Sequence, residues 1–99
     1  MKHIGYEVAL LALQRWDGDF AALEHIATSG NSIYLCKIGN KRHVLRLTDP
    51  DHRTISENIA EMAFLLHLKT EGVRACIPVL SQMGKLVEEV QGCSASVLT

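Results

Sequence analysis

The sequence is poor in the residues and patterns that mark several specialised protein classes. Its 99 residues include only two prolines and seven glycines, which excludes collagen-like and low-complexity chains. Ten Lys and Arg against 11 Asp and Glu give a formal net charge of -1, and this balance favours neither a nucleic-acid partner nor a membrane surface. No uncharged apolar run approaches the roughly 18 residues of a membrane-spanning helix. The remaining composition, 47% hydrophobic, suits one globular domain with one modest core.

The cysteines are few and do not form a disulfide pattern. Cys36, Cys76 and Cys93 are odd in number and widely spaced, with no C-x-x-C pair among them. A secreted domain of this size typically carries an even and denser set. The apolar stretch at residues 4–13 contains Glu7 and is not followed by a small-x-small cleavage site, so it does not match a signal peptide. We therefore expect a reducing, cytoplasmic environment.

Hydrophobic periodicity predicts two helices and five or six strands. A short helix is expected over residues 6–15. A long helix is expected over residues 55–69, beginning at the capping box Thr54-x-x-Glu57 and ending before Gly72. Three strands precede the long helix and two or three follow it: residues 22–27, 33–38, 43–48, 77–82, 86–90 and 94–98. Hairpin connections favour antiparallel pairing. We therefore predict an α+β fold, a five-stranded antiparallel sheet with one long helix packed on one face, plus a short N-terminal helix.

The long helix carries a carboxylate on an apolar face. Its predicted core stripe consists of Ile55, Ile59, Met62 and Leu66. Glu61 lies on a second apolar face, where a partly buried carboxylate needs a cation. Arg46 is the candidate partner, because it is the sole charged residue in the apolar strand segment 44–47. The alternative interpretation is that both residues are ordinary surface charges.

A second candidate site is the turn Ser29-Gly30-Asn31-Ser32, which lies between two predicted strands. Small residues let backbone N–H groups approach an anion, and hydroxyl groups add hydrogen bonds to it. The alternative is a turn that only connects strands, since neither a G-x-x-x-x-G-K-[ST] loop nor a complete G-x-G-x-x-G motif is present.

The other polar residues give weaker signals. The five histidines show no ligand spacing such as H-x-x-x-H, and together with the scattered cysteines they predict no metal site. Cys36 is expected to pack within a strand rather than to act as a nucleophile. Glu88 and Glu89 are adjacent in a strand and should point to opposite faces, which makes them a poor acid–base pair.

Four segments, in this order along the chain, resemble the aminoglycoside phosphotransferase family. They are residues 29–34, residues 44–47, Glu61 with residues 64–68, and residues 77–80. That family belongs to the protein-kinase-like superfamily, with choline, homoserine and fructosamine kinases among its relatives. The resemblance covers about residues 23–99 and corresponds to the N-terminal lobe.

The resemblance implies a nucleotide site and, as cofactor, ATP with Mg. In this family the turn between the first two strands covers the phosphates, and a strand-three cation held by a helix Glu contacts them. The matching positions are Ser29, Gly30, Asn31 and Ser32 for the turn, Arg46 for the cation, Glu61 for its partner, and Ile33 and Val44 for the adenine pocket. An Arg at position 46 departs from the Lys of protein kinases, although Leu-Arg-Leu is familiar among small-molecule kinases. Arg keeps the charge and pairs bidentately with carboxylates.

The resemblance also implies that the catalytic Asp, the Mg²⁺ ligands and the acceptor pocket belong to a C-terminal lobe. We expect residues 1–19 to form the N-terminal helix and its connection, and residues 20–99 to form a kinase-like N-lobe. The expected function is the nucleotide-binding half of an ATP-dependent small-molecule O-phosphotransferase, with no catalytic residue of its own and inactive alone. A hydroxyl acceptor would bind only in a two-lobe form. The alternative is a non-catalytic interaction module that forms a homodimer or exchanges strands through an exposed cleft face including Leu68.

Overall fold

The chain folds into a five-stranded antiparallel sheet with a helix on each face. The computed structural model describes residues 5–28, 31–74 and 76–99, without the side chain of Phe20. The elements are α1 (Tyr6–Gln14), β1 (Asp19–Thr28), β2 (Asn31–Ile38), β3 (Lys41–Thr48), α2 (Ile55–Thr70), β4 (Glu88–Val90) and β5 (Cys93–Leu98). The strand order is β1-β2-β3-β5-β4, and all neighbours are antiparallel. The predicted α+β class is confirmed.

The two faces of the sheet are defined by the central strands. β2 and β3 pair residue by residue down to Ile38 opposite Lys41, across a turn in which Gly39 has a φ of 63°. Glycine adopts this left-handed conformation without strain. Since side chains alternate along a strand, Leu45 and its alternate neighbours face α1, whereas Arg46 and its alternate neighbours face α2.

The face that α1 covers holds the main apolar core. Its buried members are Ala9, Ala12, Leu13, Trp16, Leu23, Tyr34, Cys36, Leu45, Leu47, Val90, Cys93, Ala95 and Val97. The indole Nε1 of Trp16 donates to the carbonyl of Val79 at 2.7 Å. After α1 the chain passes directly over Leu13, so a Cβ at Gly18 would overlap the Leu13 side chain. Glycine is therefore required at this connection.

A buried carboxylate joins three separate segments on the α1 face. Glu88 of β4 accepts from Arg15 Nη1 at 3.0 Å and from Ser81 Oγ at 2.6 Å. The backbone N–H of Gln82 donates to the Arg15 carbonyl at 2.9 Å. Glu89 is exposed, so the two glutamates point to opposite faces as predicted. Glu88 therefore has a structural role at the end of α1.

The predicted strand at residues 77–82 is wrong. The segment forms an isolated bridge, Pro78 with Leu98, flanked by hydrogen bonds from Val79 N to Val97 O and from Thr99 N to Ile77 O. Proline has no N–H to donate, so a continuous ladder cannot form through this position. The strand predicted at residues 86–90 is shorter than expected and starts at Glu88.

The predicted core stripe of α2 also needs correction. Met62 is buried against Leu98 and Val87, but Ile59 is 44% exposed, and the second fully buried residue of the helix is Asn58. The helix is rotated about its axis relative to the orientation that its apolar stripe predicted, because Asn58 and Glu61 both face Arg46 of the sheet. A polar contact, and not hydrophobicity alone, sets the orientation of α2.

Candidate functional site

The start of α2 is fixed by local sequence, and this places the site residues of the helix. The Thr54 hydroxyl accepts from the Glu57 N–H at 3.2 Å, and the Glu57 carboxylate accepts from the Thr54 N–H at 2.9 Å. This reciprocal capping box is the one predicted from the sequence. Asn58 and Glu61 follow at a spacing of three residues, so they lie on neighbouring parts of one helix face.

Arg46 and Glu61 form a two-pronged ion pair between β3 and α2. Nη1 of Arg46 donates to Oε2 of Glu61 at 3.0 Å, and Nη2 donates to Oε1 at 2.9 Å. The Arg46 side chain is 13% exposed and that of Glu61 is 32% exposed. Parallel charge-assisted bonds of this kind are stronger and more directional than a single surface contact. The predicted partnership is therefore present, and the alternative of two independent surface charges is wrong.

A second cation reaches the same carboxylate. Nη1 of Arg53 lies 2.5 Å from Oε1 of Glu61. Two guanidinium groups thus surround one carboxylate, which leaves this trio with an excess of one positive charge. The hydrogen bonds from Arg46, together with the charges of Arg46 and Arg53, lower the pKa of the Glu61 carboxyl, while partial burial acts in the opposite direction.

This lowered pKa predicts a pH dependence of stability. The ionised Glu61 favours the folded state, so its contribution is complete above the ordinary pKa of 4.5 and is lost as the pH falls through the lowered folded-state pKa. We expect Glu61→Gln to lower the free energy of unfolding near neutral pH and to make its decrease in acid less steep. Urea unfolding from about pH 7 to about pH 2.5 measures both effects.

A matched control for the pH dependence is Glu24→Gln, which neutralises an exposed carboxylate on β1. This variant should retain the steep loss of stability in acid. If the free energy of unfolding decreased equally steeply in acid for Glu61→Gln and for the parent chain, this result would contradict a stabilising role for the Glu61 ion pairs.

The ion pair lies in the wall of a cavity of about 320 Å³. The lining residues are Val44, Arg46, Glu61, Leu65, Cys76, Leu98 and Thr99. Three of the residues predicted for the site, Val44, Arg46 and Glu61, are therefore brought together. The lining combines the aliphatic side chains of Val44, Leu65 and Leu98 with the Arg46–Glu61 ion pair, and a few polar groups in a largely apolar cavity are typical of small-molecule sites.

Two further predicted residues lie on the same face without lining the cavity. Ile33 is opposite Arg46, and Asn31 is opposite Thr48. The Thr48 hydroxyl donates to Oδ1 of Asn31 at 2.6 Å. This bond fixes the orientation of the Asn31 amide, with its oxygen toward Thr48.

The predicted turn over residues 29–32 needs correction in its second half. Asn31 and Ser32 belong to strand β2. The Ser32 side chain is buried on the face opposite Arg46, together with Tyr34, so it is not brought together with the ion pair. Ser29 and Gly30 lie outside the described residues.

The sequence reasoning missed several residues of the site. Asn58 accepts from Nη2 of Arg46 at 3.2 Å, and its position three residues before Glu61 was a usable signal. Arg53 had no such signal, because the path of its loop depends on the folded structure. Leu65 and Leu98 line the cavity, although the sequence analysis treated them only as apolar members of their elements.

Cys36 packs in the core as predicted and is not suited to nucleophilic chemistry. Burial raises the pKa of its thiol to about 11. Cys36, Cys76 and Cys93 form no disulfide among the described residues, and Cys76 is the exposed one. Within residues 5–28, 31–74 and 76–99, no group of three His, Cys, Asp or Glu side chains could hold a metal ion. In the same ranges, no helix has the length and apolarity to cross a membrane.

Comparison with known proteins identifies relatives by structure but not by sequence. Neither protein-family models nor curated proteins give a match. Among solved structures, an amicoumacin kinase in complex with AMP-PNP, Ca²⁺ and Ami matches with a TM-score of 0.82 and 20% identity, over 96% of this chain and 30% of its own. A microcompartment-associated aminopropanol kinase matches with a TM-score of 0.77 and 26% identity, over 95% of this chain and 30% of its own.

The chain thus spans about 30% of the length of the solved structures that it matches. The similarity extends over nearly the whole chain, including α1, and is therefore wider than the resemblance drawn from residues 23–99. The two matches confirm the resemblance to aminoglycoside phosphotransferase-like kinases, and this chain has the α+β fold of a kinase-like N-lobe.

Proposed function

We propose that the chain is the nucleotide-binding part of an ATP-dependent small-molecule phosphotransferase. The observation that carries this proposal is the two-pronged Arg46–Glu61 pair in the wall of the cavity. In phosphoryl transfer the protein mainly positions the nucleotide and neutralises its charge. A cation that is held rigidly by a carboxylate is suited to both tasks.

The charge of the site supports a phosphate ligand. Arg46 and Arg53 together outweigh Glu61 by one positive charge, and Arg46 itself lines the cavity. Arg46 would contact phosphate oxygens, Glu61 would hold its guanidinium in place, and the segment from Ser29 to Asn31 would close over the anion. The predicted hydroxyl contact from Ser29 and the close backbone approach allowed by Gly30 remain part of this proposal.

The aliphatic residues that line the cavity support binding of a nucleotide base. Val44 and Leu98 are paired across β3 and β5, and both line the cavity together with Leu65. Ile33 lies on the same face of the sheet, on β2 opposite Arg46. A purine ring would pack against these aliphatic side chains, while the phosphates would extend toward Arg46. The amicoumacin kinase, which has this fold, is in complex with AMP-PNP and Ca²⁺, and this is consistent with such an arrangement.

The experiment that tests the proposal uses Cys76 as a reporter. Cys76 is exposed and lines the cavity, whereas Cys36 and Cys93 are buried. We expect AMP-PNP with Mg²⁺ to slow alkylation of Cys76 by iodoacetamide, because the bound nucleotide covers the thiol. The rate should fall about fivefold when the nucleotide concentration is about four times its dissociation constant. Intact-mass spectrometry against time gives the rate.

A variant with the reactive thiol outside the cavity is the matched control. In Cys76→Ser combined with Val73→Cys, the exposed thiol lies at position 73, which does not line the cavity. AMP-PNP should leave its alkylation rate unchanged. Equal rates of Cys76 alkylation without nucleotide and with millimolar AMP-PNP would contradict the proposed site.

The remaining parts of the proposal concern the longer protein that the comparisons suggest. We place the N-terminal helix and its connection in residues 1–19 and the nucleotide-binding lobe in residues 20–99. The catalytic base, the Mg²⁺ ligands and the pocket for a hydroxyl-bearing acceptor would come from a second lobe. The three cysteines, none of which forms a disulfide among the described residues, are consistent with a cytoplasmic setting.

A further inference from the structure

Asn58 breaks the pattern expected for a buried helix position. It is 1% exposed and lies on the face of α2 that packs against the sheet, on which Met62 is also fully buried. Asparagine is a weak helix former, and burial of its amide costs free energy unless every polar atom is paired. A leucine, whose side chain has the same number and branching of heavy atoms, would avoid the burial of polar atoms at this position. Residues that are unfavourable both for helix formation and for burial are characteristic of functional sites.

Only the oxygen of the Asn58 amide forms a side-chain hydrogen bond among the described residues. Its Oδ1 accepts from Nη2 of Arg46 at 3.2 Å, while its Nδ2 is buried without a hydrogen-bond partner among the described residues. A guanidinium group has donors and no acceptor, so a flipped amide would bring two donors together. The orientation of Asn58 is thus dictated by Arg46, and this contact is the one side-chain hydrogen bond that offsets the burial of the amide.

The hydrogen bonds of Arg46 show what this contact achieves. Of the five N–H groups of a guanidinium, two donate to Glu61 and one to Asn58. Nε is buried without a hydrogen-bond partner among the described residues, and one N–H of Nη1 is not used by Glu61 or Asn58. Glu61 has a long, flexible side chain and could move together with Arg46 as a unit. Asn58 has a short side chain on the helix and supplies a third, stiffer point of attachment.

We infer that Asn58 is a positioning residue, which holds the Arg46 guanidinium in the plane where its remaining Nη1 N–H reaches the nucleotide phosphates. The inference rests on the proposed nucleotide site for its functional consequence. The immobilisation of Arg46 by Asn58 is a property of the chain without ligand and can be measured separately.

The test compares Asn58→Leu with the parent chain by two measurements. The first is the rate of rotation about the Nε–Cζ bond of Arg46, from NMR of the arginine side-chain nitrogens. It should increase about tenfold when the third hydrogen bond to the charged group is lost. The second is the dissociation constant of AMP-PNP, which should rise about tenfold for the same reason. Thermal unfolding followed by circular dichroism shows whether Asn58→Leu is folded.

Two further variants keep the test decisive. Asn58→Asp retains an acceptor oxygen at the same place, so Arg46 should rotate as slowly as in the parent chain; fast rotation in this variant would contradict the inference even if Asn58→Leu failed to fold. Met62→Leu changes packing on the same helix face, and should alter neither measurement. Parent-like rotation of Arg46 in folded Asn58→Leu overturns the inference. Failure of the parent chain to bind AMP-PNP overturns the proposed function and leaves the NMR result to decide the role of Asn58.

Discussion

Arg46→Met is expected to weaken binding of AMP-PNP by about 10- to 100-fold, which corresponds to loss of one hydrogen bond between charged groups. The substitution removes the cation in the cavity wall but keeps a long side chain of similar reach. Glu61 retains a partner in Arg53, so the carboxylate does not become an unpaired charge in the same position. The dissociation constant from isothermal titration calorimetry, at a fixed ionic strength, measures the effect.

The matched control is Arg42→Met, which makes the same change of charge on the same strand. Arg42 is exposed near the hairpin end of β3, and it does not line the cavity that contains Arg46. Its removal should change affinity about twofold at most, because an exposed charge is screened within about 10 Å at ordinary salt. If both variants bind AMP-PNP as tightly as the parent chain, Arg46 does not contact the phosphates.

Leu45→Ala should be the most destabilising of the substitutions considered. Leu45 is 0% exposed, at the centre of the core under α1. Truncation to alanine removes apolar contacts and leaves a cavity, at a cost of about 3 kcal/mol in the free energy of unfolding. For a domain of this size the midpoint of thermal unfolding should fall by roughly 12–24 °C. Thermal unfolding followed by circular dichroism measures the shift.

Ile26→Ala is the control for the core substitution. Ile26 lies on the edge strand β1 and is 48% exposed, so its truncation should lower the midpoint by only a few degrees. Equal shifts for the two variants would show that the face under α1 is not the main source of stability.

The sequence contained enough local information to predict most of the elements. The Gly39-Asn40 turn and the alternation on either side of it predicted the β2–β3 hairpin, because both signals act between neighbouring residues. Thr54 and Glu57 predicted the start of α2 within one residue for the same reason. The pairing of Arg46 with Glu61 was predictable because each is a lone charge in an apolar segment.

Other features depend on contacts between distant segments and could not be predicted. Apolar periodicity placed Ile59 in the core of α2, but the helix turns so that Asn58 faces Arg46, and this contact spans separate elements. The apolar segment at residues 77–80 resembled a strand. Its pairing with β5 is limited to a bridge at Pro78, which has no N–H to donate. The sequence therefore predicted the Arg46–Glu61 pair but not the contacts that Asn58 and Arg53 make with it.

The alternation of side chains along β3 has a consequence for how this protein can change over generations. Leu45 and Leu47 support folding through the face under α1, whereas Val44 and Arg46 line the cavity on the other face. Adjacent residues of β3 therefore contribute to two different properties, the stability of the core and the lining of the cavity. A random substitution at one position alters how much of the protein is folded, and at the next it alters the shape and charge of the cavity. The lining of the cavity can consequently change along this strand while the fold is conserved.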